Sequence, residues 1–166
     1  MDRVFQVISN KITSDVPELR WVDFDLGQLE QEQPPVSWPC ALISFQAPQF
    51  QNLSRLAQQA ELLIAVRLAF RVFERTHSVA QDQFRQIGLQ HFSTIKKVHA
   101  ALHGMDGENF KGLARASFAT EPRADLRVYN LIYSCLFTDE ASSQYRSWTD
   151  VAPTENPDFC INTKIS

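Results

Sequence analysis

The sequence predicts an α+β fold: a single domain with a mainly antiparallel sheet of four to five strands and two or three helices packed on one face. Three observations predict it. The chain has 166 residues, 44% of them hydrophobic and 12 of them Phe, so one domain with a sizeable core is expected. Five segments have the pattern of a strand, and the remaining periodic segments have helical spacing. Their order is helix, three strands, helix, two strands and a polar tail.

The first two elements and the loop after them follow from the residues before position 36. Segment 4–13 predicts a short helix because apolar residues recur every four positions, at Val4, Ile8 and Ile12. Pro17 ends this helix. Residues 20–26 alternate, with Val22, Phe24 and Leu26 facing one way, which predicts a half-buried strand. Segment 27–35 is polar and ends in two prolines, so an exposed loop is predicted.

The next two strands are separated by a long polar segment. A mostly apolar run at 38–46 predicts a strand that pairs with the first one. Residues 47–59, rich in Gln, Asn and Ser, predict a second long loop. At 61–74 every even position is apolar, which predicts a long strand with one fully apolar face. These even positions are Leu62, Ile64, Val66, Leu68, Phe70 and Val72.

The last periodic segments are helical and then strand-like again. Residues 78–102 change to helical spacing, with Gly88 as a candidate break between two helices. Strands are predicted at 110–121 and 127–139, and the second is apolar on both faces. In the first, simple alternation places Ala114, Ala116 and Phe118 on one side and Leu113, Arg115 and Ser117 on the other.

Composition divides the chain and excludes several classes of protein. Residues 1–140 form the predicted core domain and 141–166 an extended polar tail. The net charge of −3 argues against a general nucleic-acid binder. Neither an apolar run long enough to span a membrane nor a signal-peptide pattern is present. Three scattered cysteines do not make a disulfide framework, so a reduced, cytoplasmic protein is expected.

Histidine and cysteine provide weak candidates for chemistry. His99 and His103 have the spacing of a two-histidine metal site on a helix, but no third ligand is evident, and two surface histidines are the simpler interpretation. Cys40 and Cys135 lie in apolar strands and are expected to be small core residues. No phosphate-binding glycine loop or nucleophile motif occurs, so no catalytic residue, metal or cofactor is predicted.

Four carboxylates are candidate interface residues. Asp23 and Asp25 share one face of the first strand, near Glu30 and Glu32. Paired carboxylates can serve in acid–base catalysis or bind a divalent cation. A solvated face is the simpler interpretation. An acidic patch that faces a partner is intermediate between a solvated face and a catalytic or cation-binding site.

Three arginines and a tryptophan complete the candidate interface. Arg67 and Arg71 share the less apolar face of the long strand, and Arg115 lies on another strand, so the three could form a basic stripe. Ion pairing with Asp or Glu at a solvent-facing surface is the simpler interpretation. If Arg67 and Arg71 dock a partner, replacing both by Glu should weaken association and leave the fold intact. Trp148, in the tail, is the tryptophan most suited to an interface.

The order and texture of the strands resemble a known family. The stretches ELRWVDFDLGQLEQ, PVSWPCALISF, ELLIAVRLAFRVF and VYNLIYSCLFTD follow a short helix, with a second helix before the last of them. This arrangement resembles the small tail-terminator or tail-completion proteins of long-tailed phages and prophages, in the minor tail protein U group. The resemblance covers about residues 1–140 and rests on topology, with no signature motif.

The resemblance implies a structural protein that is not an enzyme. Tail terminators form a ring, typically a hexamer, that stops polymerisation of the tail tube and presents a surface for joining the head. The implied partners are further copies of the chain, the tail tube protein and the head-completion protein, with no membrane and no specific nucleic acid. The chain would be made in the bacterial cytoplasm and incorporated into a virion or phage-like particle.

Three other functions stay open. A head–tail connector or neck protein would have a similar size and role, and an adaptor of another secretion or contractile machine is a further candidate. A small-ligand-binding or catalytic α+β domain of a bacterial cytoplasmic protein would need a pocket with convergent polar groups. Neighbouring genes for tube, tape-measure and baseplate proteins would favour the virion protein.

Overall fold

The computed structural model describes residues 1–47, 49–71, 79 and 81–140, which contain two α-helices and six strands. The helices are α1 (Asp2–Asp15) and α2 (Asp82–Leu102). The strands are β1 (Trp21–Phe24), β2 (Cys40–Gln46), β3 (Phe50–Asn52), β4 (Gln58–Arg71), β5 (Phe110–Glu121) and β6 (Leu126–Asp139). The predicted tail, 141–166, lies outside the described residues.

All six strands belong to one mixed sheet, in the order β1-β2-β4-β6-β5, with the short β3 paired to β4. The pair of β1 and β2 is parallel, and every other pair is antiparallel. The predicted α+β class and the predicted pairing of the first two strands are confirmed. The sheet has one strand more than the expected upper number, because β3 forms inside the predicted loop 47–59.

One face of the sheet carries both helices and the main core. The predicted apolar stripe of α1 is buried, and it packs in the same cluster as the even positions of β4. Leu62, Ile64, Val66 and Leu68 in that strand are fully buried, as the strand pattern predicts. Val72 lies outside the described residues. The prediction that the helices pack on one face of the sheet is therefore confirmed. The other face, which carries no helix, is the one that can present polar side chains to solvent or to a partner.

A smaller core on the helix-free face corrects the prediction of an exposed loop at 27–35. Gly27 has a φ of 81°, and a 3₁₀ helix (Gln28–Glu30) follows it. The Gln28 side-chain amide donates to the Phe24 carbonyl at 2.7 Å and accepts from the Leu26 N–H at 2.7 Å. These bonds fold the loop back so that Leu29 is fully buried, whereas Leu26, predicted to face the core, is 81% exposed.

The predicted break at Gly88 does not occur, because α2 runs unbroken for 21 residues. Ile95, Val98 and Leu102 anchor this helix in the main core. A glycine inside a helix costs only about 1 kcal/mol relative to alanine. Burial of a single large apolar side chain contributes about 1.5–3 kcal/mol, so packing outweighs the glycine.

Candidate interaction surfaces

Arg67 lies at the centre of an ion-pair cluster on the helix-free face. Its Nε and Nη2 donate to the two carboxylate oxygens of Glu121 at 2.8 and 2.7 Å. Its Nη1 donates to Asp25 Oδ2 at 2.8 Å, and Nη2 also donates to Glu30 Oε1 at 2.9 Å. We call Asp25, Glu30, Arg67 and Glu121 the Arg67 cluster. It ties the loop after β1 to the middle of β4 and the end of β5.

The electrostatics of this cluster make Arg67 a structural residue. Hydrogen bonds that Arg67 donates to Glu121, and then to Glu30 and Asp25, raise its pKa above the ordinary value against the opposing effect of burial. Its side chain is 14% exposed. Arg123 adds a second cation, 3.9 Å from Glu30 and paired with Asp125 at 2.9 Å. Arg67 therefore offers little of its charge to a partner, which corrects the expectation that it acts as a docking residue.

The predicted basic stripe is wrong because the three arginines do not share a surface. Arg71 lies on the helix-free face, where its guanidinium carbon is 5.6 Å from the centre of the Trp38 ring. Arg115 pairs with Tyr133, whose side chain belongs to the core under the helices, so Arg115 projects on the helix-bearing face. A register shift between Lys111 and Ala114, described below, places Arg115 on the same face as Phe110.

The four predicted carboxylates separate into two groups. Asp25 and Glu30 are bound within the chain by the Arg67 cluster. Asp23 is half-buried and accepts a hydrogen bond from the Phe24 N–H at 2.8 Å. Glu32 is exposed. Of the four, Asp23 and Glu32 lie outside the Arg67 cluster, and Asp23 is the one that lies in β1. Trp148 lies outside the described residues.

His99 and His103 are neighbours on α2, with ring centroids 4.8 Å apart. Burial, then the positive charges of Arg115 and His103, lowers the pKa of His99. The buried hydroxyl of Tyr133 nearby has no hydrogen-bond partner, and burial raises its pKa to about 12. Within the described ranges no group of three or more metal-ligating side chains occurs, so this cluster offers a metal only two histidines.

The two cysteines of the described chain are buried, as the sequence predicts. Burial raises the pKa of Cys40 and of Cys135 to about 11. Both thiols are therefore protonated near neutral pH, which suits packing and disfavours nucleophilic chemistry. Neither helix of the described chain has the length and apolar character that a membrane span requires.

The strand β5 forms a free edge of the sheet and is exposed along most of its length. Residues 114–120 are all exposed, and the ring of Phe118 is 45% exposed while it stacks on Tyr129. An edge strand presents unpaired backbone N–H and C=O groups, which can pair with another chain. The opposite edge of the sheet is the four-residue β1, so the two edges are different surfaces.

Glu121, Arg123 and Trp38 take part in these surfaces but do not stand out in the sequence. Glu121 is 54 residues from Arg67 along the chain, and only the pairing of β4, β6 and β5 brings them together. The pairing of Arg67 with Asn130 and of Asn130 with Ala119 places Glu121 diagonally next to Arg67. A correct strand order could therefore have found Glu121, whereas alternation within one strand could not.

Comparison with known proteins finds similar solved structures but no family. Neither a protein-family model nor a curated protein matches the chain. Among solved structures, a chain from the "virion of native gene transfer agent (GTA) particle" is similar with a TM-score of 0.49 and 10% sequence identity. The match covers 83% of this chain and 96% of that one.

Proposed function

We propose that the chain is a structural protein of a phage or phage-like particle, and specifically a tail terminator. In this role, copies of the chain form a ring that caps the tail tube and presents a surface for joining the head. The proposed activity is assembly, not catalysis. The partners would be further copies of the chain, the tail tube protein and a head-completion protein.

The observation that carries the proposal is the pair of unlike edges of one sheet. A closed ring needs a head-to-tail interface, in which one surface of a copy meets a different surface of the next. The exposed edge of β5 and the short β1 edge lie on opposite sides of the sheet and meet this requirement. The element order of the resemblance also supports the proposal, because helix, β1, β2, β4, helix, β5 and β6 follow in that order.

The charges of the two edges also support a head-to-tail contact. Lys111 and Arg115 are exposed on β5, and no ion pair engages them within the described chain. Asp23 provides the opposite charge on the β1 edge. Opposite charges on unlike surfaces steer association and disfavour the pairing of two identical edges.

A charge swap tests the interface. Arg115→Glu should weaken self-association about tenfold or more in sedimentation velocity, because like charges would then face each other across the interface. Adding Asp23→Lys to the same chain should restore association, since every copy carries both changes. Lys96→Glu on the exposed face of α2 is the matched control and should leave association unchanged. Undiminished association of Arg115→Glu would contradict a contact between these edges.

Capping distinguishes a terminator from a connector. When the chain is added to the polymerising tail tube protein encoded beside it, a terminator should shorten the tubes and should appear at one end in electron micrographs. A connector should leave tube length unchanged. Arg115→Glu, if it cannot form the ring, should lose the capping effect.

A further inference from the structure

A groove that the ring proposal does not use lies at the end of the sheet where β4 finishes. It has a volume of about 520 Å³ and runs between the loop after α1, the start of β2, the end of β4 and the middle of α2. Trp38, Phe70 and His91 line it, and the rings of Phe70 and His91 stack at 4.2 Å. Pro17 and Pro39 make its walls rigid as well as apolar.

The groove presents hydrogen-bond donors that have no acceptor within the described chain. Arg20 and Arg71 line it, and neither makes an ion pair with a described carboxylate. The carboxylate in the groove, Glu18, is already bound to Lys97 at 2.8 Å. The two arginines and the apolar walls of the groove suit a ligand with carboxylates, backbone carbonyls and apolar rings.

A second concavity limits where an acidic ligand can lie. It has a volume of about 550 Å³ and adjoins the first groove through Trp38 and Arg71. Glu32 and Asp125 line it, but Asp125 is paired with Arg123 at 2.9 Å, so Glu32 is the lining carboxylate that disfavours an acidic ligand there. Acidic contacts are therefore more favourable on the side of the Trp38–Arg71 pair where Arg20 lies.

The chain itself contains a segment with the matching chemistry. Residues 148–159 read WTDVAPTENPDF, with three carboxylates, two prolines, an aromatic residue at each end and neither Lys nor Arg. Proline favours an extended backbone that docks in aromatic grooves at low entropic cost. The carboxylates complement the two unpaired arginines of the groove.

The groove of its own copy is within reach of the residues from about 153 onward, but only a neighbouring copy can take the segment with Trp148 in the groove. Arg71, at the groove, pairs with Leu126, whereas Asp139 pairs with Gln58 at the other end of the sheet. The 14 residues of β6 therefore separate the groove from Glu140 by about 43 Å. From Glu140 to Trp148 the chain reaches at most about 27 Å. Trp148 therefore cannot reach the groove of its own copy.

We propose that residues 148–159 of one copy bind the groove around Trp38 and Arg71 of a neighbouring copy. Acidic side chains of the segment pair with Arg20 and Arg71, and its rings pack on Trp38, Phe70 and the two prolines. This inference rests on the proposed self-assembly. It adds a tail-to-groove contact that would link successive copies of the ring.

Disulfide trapping in the full-length chain tests the contact. Gln90 is exposed and lines the groove, and Cys160 directly follows the segment. Under mild oxidation, Gln90→Cys should join Cys160 of the next copy and give a ladder of covalent oligomers on a non-reducing gel. Lys96→Cys, exposed on α2 outside the groove, is the matched control and should give none. Arg20→Glu with Arg71→Glu should lower the yield of Gln90→Cys several-fold.

Every other result overturns the inference. The native mass of the same sample shows whether the tail contact alone is absent or the ring is absent as well. A disulfide formed only within a chain would show that the segment binds its own copy. A ring of the expected mass without cross-links would leave the proposed function standing and remove the tail contact. A ladder that survives both arginine reversals would exclude charge recognition in this groove. A strict monomer would remove the ring and the tail contact together.

Discussion

Arg67 and Arg71 lie four residues apart on the same face of β4, but they have different roles. Arg67 is held by three carboxylates, and Arg71 is exposed beside Trp38. Alternation predicted that they share a face, and this is confirmed. It could not predict which of them is buried, because burial depends on the loop that contains Leu29 and on Glu121 at the far end of β5. Such contacts between distant segments cannot be read from the period of one strand.

Replacing the two arginines should therefore have unequal effects. Arg67→Met should lower the free energy of unfolding by about 3 kcal/mol, because three carboxylates would lose their common cation. Arg71→Met should cost about 0.5 kcal/mol, the size of an exposed cation–π contact. Urea unfolding with an unchanged m-value measures both. Equal costs at the two positions would contradict the Arg67 cluster.

His99 should make stability depend on pH. Burial, then Arg115 and His103, lowers its pKa in the folded state below the ordinary value of 6.5. The unfolded chain then binds the proton more readily, so the contribution of His99 is complete above pH 6.5 and is lost as the pH falls below it. Arg115→Gln should raise this pKa but leave it below 6.5, because burial is the larger cause. A titration of the His99 ring by NMR would detect the shift, and an unchanged value would exclude Arg115 as a cause.

Of the two long strands β4 and β5, the sequence predicted the buried face of β4 but not the register of β5. In β4 the period of two holds without interruption, and the predicted buried positions are confirmed. In β5 the register shifts between Lys111 and Ala114 and again between Arg115 and Ser117. The predicted sides therefore hold for Leu113, Ala114 and Arg115 but are wrong for Ser117 and Phe118, which follow the second shift. Arg115 and Phe118, which simple alternation separates, pair with Tyr133 and Leu131 on the same face.

Gly112 makes the first of these shifts possible. Its φ of 69° is in the left-handed region, and its N–H donates to Asp106 Oδ1 at 2.6 Å. The bulge lets both Phe110 and Leu113 point into the core. The sequence alone did not predict this role, because a glycine inside a strand can also do no more than weaken the strand.

Substitution at Gly112 tests the bulge. Gly112→Ala should cost about 1–2 kcal/mol, since an added Cβ meets no atom within 4 Å and only the backbone conformation opposes it. Gly112→Asn should cost less, because Asn tolerates the left-handed region. Thermal or urea unfolding of the two variants measures the difference. An alanine variant as stable as the natural chain would show that the bulge is not needed.

The whole molecule combines a sheet that is covered by helices on one face with two free and unlike edges. Its class could be predicted from the order of the elements, because that order decides which layers can form. Its interaction surfaces could not, because they depend on register shifts in β5, on the folded loop before β2 and on pairing across the sheet. A chain with unlike edges of opposite charge is suited to head-to-tail assembly.

The native mass of the purified full-length chain, measured across a range of concentrations, tests this assembly most directly. The proposal predicts one closed species that does not grow with concentration, at about six times the 19.0 kDa of a single chain, with ring-shaped particles in electron micrographs. A chain that remains monomeric at the highest concentration reached would contradict it, and so would a dimer of fixed mass or an open polymer that lengthens with concentration.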